Sequence, residues 1–195
     1  MRYRQLIDIV KELKPKIVLE IGTHKAARPI EWYGAHPFEH YYGFDLFEDG
    51  TSELNVAEMN GKGFCSAQHA QKVLGDIPNS LYQGLTVDTL PSFKKLNPDI
   101  QVDFAFIDGG HSVATIKNDW EHVKDVMSPN GVVVFDDYYV PARHGYGCNK
   151  LMQELPHLLL PQSDQGVFLA RVDIADFEMP PADTMVLASS FGGDK

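Results

Sequence analysis

Two segments about thirty residues apart, Val102-Asp-Phe-Ala-Phe-Ile-Asp108-Gly-Gly-His111 and Gly131-Val-Val-Val-Phe-Asp136-Asp137, each run an apolar stretch straight into carboxylates. A carboxylate at the end of a buried strand is costly unless something offsets its charge. Asp108, Asp136 and Asp137 beside a histidine therefore point to a cation or a polar ligand. A magnesium ion takes hard oxygen ligands in octahedral geometry, which two or three carboxylates plus a substrate diol can supply. His111 carries the side chain that ordinarily titrates nearest neutrality, which suits a general base. The plainer alternatives are strand-end hydrogen bonding for the carboxylates and, for His111, capping of a helix that starts near Ser112.

These residues need elements to position them, and the apolar pattern supplies those elements. Residues 16–22, 40–46, 81–86, 102–108 and 131–136 read as strands; the continuous apolar runs among them are those of strands buried on both faces. Helix-compatible segments lie at 6–13, 24–33, 67–74, 87–96 and 112–127, the last with Val113, Ile116, Trp120, Val123 and Met127 at helical spacing. A short helix near 148–155 and strand candidates at 166–172 and 184–189 follow, giving seven strands. Alternation of strand and helix predicts an α/β layer fold with a mostly parallel sheet and right-handed crossovers. In such a sheet ligands sit beyond the carboxyl ends of the strands. Glu20, Asp45, Thr86, Asp108 and Asp136 all end apolar runs, so one sheet edge collects them.

The 195 residues suit a single domain, 1–195, of ordinary globular composition. A formal net charge of -10 argues against a nucleic-acid partner, whose phosphates call for clustered Lys and Arg. Cys65 and Cys148 match no disulfide framework or zinc pattern and read as reduced thiols. No apolar run approaches the ~20 residues of a membrane span, and the first residues lack a signal-peptide core, so no membrane partner and a cytoplasmic location are expected.

Glu20-Ile-Gly22-Thr23-His-Lys turns from strand to helix, where a glycine lets backbone approach a ligand, and Asp45 ends the next strand where a carboxylate can accept from both hydroxyls of a ribose. With Gly84-Leu-Thr86-Val-Asp88-Thr-Leu-Pro91 and the two acidic segments, these motifs resemble, in order, those of class I S-adenosylmethionine-dependent methyltransferases. The resemblance covers about residues 16–138. It is nearest to the branch of catechol O-methyltransferase and the metal-dependent macrolide-sugar O-methyltransferases. It implies a Rossmann-like three-layer fold whose seven-stranded sheet has the order 3-2-1-4-5-7-6, the last strand antiparallel. It implies S-adenosylmethionine as cofactor, with Glu20, Gly22 and Thr23 toward its methionine end, Asp45 on the ribose, Thr86 and Asp88 near the adenine, and Asp108 beside it. It further implies Mg2+ held by Asp108, Asp136 and Asp137, with His111 and Asp108 catalytic. Lys25-Ala-Ala-Arg28 departs from the family loop, which usually has a second glycine near Ala26.

The expected activity is O-methylation of a small hydroxylated acceptor, sugar- or diol-like. Specificity is assigned to the unmatched segments 47–79 and 138–147, both read as loops. The acceptor site is expected to be open, closed by the 47–79 insertion, or completed by a second copy in a homodimer. A nicotinamide-dependent oxidoreductase is the rival in another class, although the loop after Gly22 lacks the glycines of GxGxxG. A non-catalytic cofactor-binding protein of the same fold is the third reading.

Overall fold

The computed structural model describes residues 2–178 apart from 60 and 62. Among them a seven-stranded sheet has the order β3-β2-β1-β4-β5-β7-β6. Its strands are β1 (Ile17–Ile21), β2 (His40–Asp45), β3 (Asn79–Gln83), β4 (Val102–Ile107), β5 (Met127–Tyr139), β6 (Leu158–Leu159) and β7 (Val167–Asp173). The first five run parallel, and β7 is antiparallel to both β5 and β6. This is the expected architecture and order. The sixth strand, however, is the two-residue β6, too short for a pattern of its own, and the segment at 166–172 forms the last strand. The candidate at 184–189 lies outside the described residues.

Side-chain alternation along the central strands sorts the core into two halves. Val18, Phe104, Phe106, Val132 and Val134 pack on one face with Leu6, Ile9 and Val10 of α1 (Arg4–Leu13) and Trp32 of α2 (Ala27–Ala35). Leu19, Ile21, Ala105, Ile107, Val133 and Phe135 pack on the other with α5 (Thr86–Leu96), α6 (Val113–Lys124) and α7 (Cys148–Leu151). Both faces are covered, which is why these strands read as continuous apolar runs. Trp32 meets Phe104 and Phe106 edge to face, at centroid distances of 5.4 and 6.0 Å.

Helix starts follow local chemistry. Ser66 and Ser112 accept from the backbone N–H of His69 and Thr115, capping α4 (Ala67–Leu74) and α6. The 47–79 segment, read from sequence as loop around one helix, also holds a 3-10 turn (Phe47–Asp49) and α3 (Ser52–Glu58), which Thr51 caps. Helix α8 (Ile174–Glu178) follows β7.

The end of β1 is pressed against the end of β4. Gly22 has φ +88°, its N–H donates to the Phe44 carbonyl at 2.8 Å, and a Cβ there would stand 1.9 Å from the Asp108 carbonyl oxygen. Only glycine fits that approach. Gly22→Ala is expected to cost about 3 kcal/mol or more of folding stability, measured by urea unfolding, since both the backbone and Asp108 must shift.

Candidate functional site

The alternation that sorts the core also sorts the acids. Glu20 shares a strand face with Val18, Asp108 continues that of Phe104 and Phe106, and Asp136 that of Val132 and Val134. All three thus belong to the face that α1 and α2 cover. Asp108 and Asp136 follow the paired residues Ile107 and Phe135, so they lie side by side on neighbouring strands, as expected.

Two arginines meet them there. Arg28, near the start of α2, donates from Nε to Glu20 Oε1 at 2.6 Å, from Nη1 to Asp108 Oδ2 at 2.7 Å and from Nη2 to the Gly22 carbonyl at 2.8 Å. Arg2 donates to both oxygens of Asp136, from Nε and Nη2, each at 2.9 Å. Tyr3 adds its hydroxyl to Asp136 Oδ2 at 2.6 Å, its ring lying under both guanidinium groups. Burial alone would disfavour charge on Arg28, but Glu20 and Asp108 outweigh it and hold the guanidinium protonated. Burial pushes Glu20 up, and Arg28 and the Tyr41 hydroxyl oppose that rise. Burial and the neighbouring Asp108 and Asp136 push Tyr3 up, so it stays a neutral donor.

Asp137, at φ 63° where β5 shifts register, turns to His111: its Oδ2 lies 3.0 Å from Nε2, and its Oδ1 accepts from the Tyr139 hydroxyl at 3.2 Å. The Tyr146 ring packs on the imidazole, and the Gly147 N–H donates to the His111 carbonyl at 2.7 Å. Arg143 and His144 of the same segment are exposed. Ser112 fills the capping role, so His111 is not the cap of α6.

The carboxylates therefore do not fit a resident divalent ion. Asp136 accepts four hydrogen bonds, with the Asp137 N–H at 2.7 Å joining Arg2 and Tyr3, which uses the lone pairs a metal would need. Asp108 is paired with Arg28 and Asp137 with His111. Among the described residues no group of three acids, histidines or cysteines converges as an ion site. Asp108, Asp136 and Asp137 line one small cleft together with His111, but within it protein side chains supply the compensating charge: Arg28 to Asp108, Arg2 to Asp136 and His111 to Asp137.

Two cavities adjoin at this edge. One, of about 110 Å³, is mainly apolar, with Phe44, Leu46, Leu54, Met59 and Leu85 around Thr86, Thr115 and Asp119. The other, of about 140 Å³, is polar, with Tyr3, His24, Arg28, Asp108 and His111. Gly22, Asp45, Met59 and Gly109 line both. Asp45 fixes the junction: Oδ2 accepts from the His24 N–H at 2.8 Å and Oδ1 from the Phe47 N–H at 3.0 Å. A carboxylate has room for about four such bonds, leaving capacity for ligand hydroxyls. Thr86 lines the apolar cavity, whereas Asp88 is exposed and lines neither, and the buried Thr23 bonds the Tyr41 hydroxyl at 3.0 Å instead. Sequence reasoning missed Arg2, Tyr3, Glu58 and Asp119. Glu58 of α3 holds the loop beside the cavities, its carboxylate accepting from the Ser112 N–H at 2.9 Å and its carbonyl from the His111 N–H at 3.2 Å.

The chain belongs to the methyltransferase domain family, whose model matches residues 19–138. It is 27% identical over 188 residues to the uncharacterized protein y4gI of Sinorhizobium fredii, covering 91% of this chain and 20% of that protein. The chain thus spans about a fifth of that curated relative's length. Three solved structures share the fold. The O-methyltransferase TomG of Streptomyces achromogenes, involved in tomaymycin synthesis and solved with SAM, superposes with a TM-score of 0.65 at 15% identity, over 88% of this chain and 78% of that one. An O-methyltransferase of Bacillus cereus in complex with SAH gives 0.63 at 14%, over 88% and 80%. The TDP-rhamnose 3'-O-methyltransferase CalS11 of calicheamicin biosynthesis gives 0.62 at 16%, over 88% and 78%. Among the described residues no helix is long and apolar enough to cross a membrane.

Two predictions follow from the buried charges. Arg28→Met leaves Glu20 and Asp108 facing each other without a cation and should cost about 3–5 kcal/mol at pH 7 by urea unfolding, a loss that shrinks toward pH 5 as the freed acids take up protons. Burial pushes Asp119 from 3.8 up to about 6. A carboxyl raised on folding stabilises fully below its unfolded value and loses that contribution as pH rises through the folded one. Asp119→Asn should therefore raise the stability of the ligand-free protein above pH 6 by about 2–3 kcal/mol relative to its effect at pH 4, read from paired unfolding curves.

Proposed function

We propose that the chain is an S-adenosylmethionine-dependent O-methyltransferase acting on a small hydroxylated, sugar- or diol-like acceptor, without a bound metal ion. The observation that carries this reading is the pair of adjoining cavities, one apolar and one polar, meeting at Gly22, Asp45 and Gly109. Family membership and the SAM and SAH complexes of TomG and the Bacillus cereus enzyme support the cofactor. CalS11, a sugar O-methyltransferase by its description, supports the acceptor class.

In this reading the apolar cavity takes the nucleoside. Asp45 accepts from the ribose hydroxyls, Gly22 allows backbone contact, and Thr86 stands near the base. Glu20 and Thr23 act behind that surface, through Arg28 and Tyr41. The bound cofactor supplies an electrophilic methyl group on a sulfonium. The polar cavity holds the acceptor hydroxyl beside His111, which takes its proton. Asp137 fixes the imidazole and stabilises the imidazolium that forms, as a carboxylate does for a histidine base. Asp108 positions the acceptor from its pairing with Arg28. Holding donor and acceptor in line contributes several kcal/mol of the remaining acceleration. A specific observation disfavours the metal route: four donors already occupy Asp136.

Calorimetric titration with S-adenosylmethionine and with NAD is expected to show binding of the first alone. Methyl transfer across a panel of sugars and diols should proceed unchanged after EDTA treatment and fall by about 10²-fold or more in His111→Ala. Turnover that needs added Mg2+ would refute the metal-free reading.

A further inference from the structure

The floor of the apolar cavity contains a carboxylate that the proposed chemistry does not use. Asp119 lies on the buried face of α6, fully shielded from solvent, between Ile116 and Trp120. The Thr86 side chain and Asn118 Nδ2, the latter at 3.4 Å from Oδ1, both interact with its carboxylate, while Oδ2 has no hydrogen-bond partner within 3.5 Å among the described residues. An unpaired buried carboxylate oxygen is destabilising by itself, which calls for a donor. Asp119 lines the cavity together with Gly109, where a Cβ would stand only 3.5 Å from Oδ2. The apolar walls around it suit the faces of a flat ring, and such a ring would need a donor at its edge to satisfy Oδ2.

We infer that Asp119 reads the base of the cofactor, its Oδ2 accepting a hydrogen bond from the exocyclic amine of adenine. The assignment rests on the methyltransferase reading and goes beyond it, because it makes the pocket selective for an amino-substituted purine. A carbonyl at the same ring position would face the carboxylate oxygen with no hydrogen between them. Sites built around one buried hydrogen bond reject the ligand that lacks it far more strongly than apolar contacts can. Asp88, expected from sequence near the base, is exposed and cannot do this from its place on α5.

The test is calorimetric titration at pH 8 of the intact chain with S-adenosylhomocysteine and with S-inosylhomocysteine, its deaminated counterpart. The wild type is expected to bind the adenosyl compound about 100-fold more tightly or better. Asp119→Asn offers both an acceptor and a donor, and its preference should fall to within a few-fold. Equal binding of both compounds by the wild type overturns the inference without any variant, and so does full preference retained in Asp119→Asn. Wild-type protein that binds neither removes the cofactor reading itself, and this assignment with it. Preference for the adenosyl compound that is lost in the variant supports both.

Discussion

Strand periodicity fixes the charge balance of this molecule. Because side chains alternate along β1, β4 and β5, the acids at or just beyond the strand ends, Glu20, Asp108 and Asp136, share the sheet face that α1 and α2 cover. Three carboxylates on a buried face need positive charge, and the chain provides it from helix α2 and the segment leading into α1. Arg28 spans two of the acids and Arg2 takes the third with both its ends. Removing either cation leaves a charge with no solvent to reach, which makes these pairs essential to the fold at this edge whether or not they gain net stability over an apolar core.

The same constraint divides the work of the site. The face holding the arginines is structural and electrostatic: it holds charge in place and presents Asp108 beside the polar cavity. Beside it, Asp137 turns into a left-handed conformation to reach His111, which lines that cavity with a carboxylate behind it. Adjacent residues in sequence, Asp136 and Asp137, meet different partners because β5 is irregular between Phe135 and Tyr138 and Asp137 leaves the extended conformation there.

The fold was legible because its central strands are buried on both faces, so apolar runs mark them directly, while Ser66 and Ser112 mark the starts of α4 and α6. The sheet order came from the resemblance, and the structure has that order. Less was legible at the site. Acids were visible as acids, but their partners lie far off in sequence: Arg2 and Asp136 are 134 positions apart. The basic Arg28 stood out as a departure in the loop after Gly22, without any local sign that it would reach across to Asp108. Asp119 did leave a signal, an acid within the Ile116, Trp120 and Val123 stripe of an otherwise apolar helix face. Read with the helical period, that stripe marks a buried charge in advance. The helix at 52–58 left none, because it buries no residue and shows no apolar stripe.

Glu58 connects this insertion to the proposed chemistry. Its carbonyl and carboxylate hold two successive N–H groups, those of His111 and Ser112. Those groups belong to the turn that carries the imidazole and opens α6. The 52–58 helix, which walls the apolar cavity through Leu54 and Glu58, is thereby tied at two adjacent points to the turn that carries the histidine, through a single acidic side chain and its own backbone.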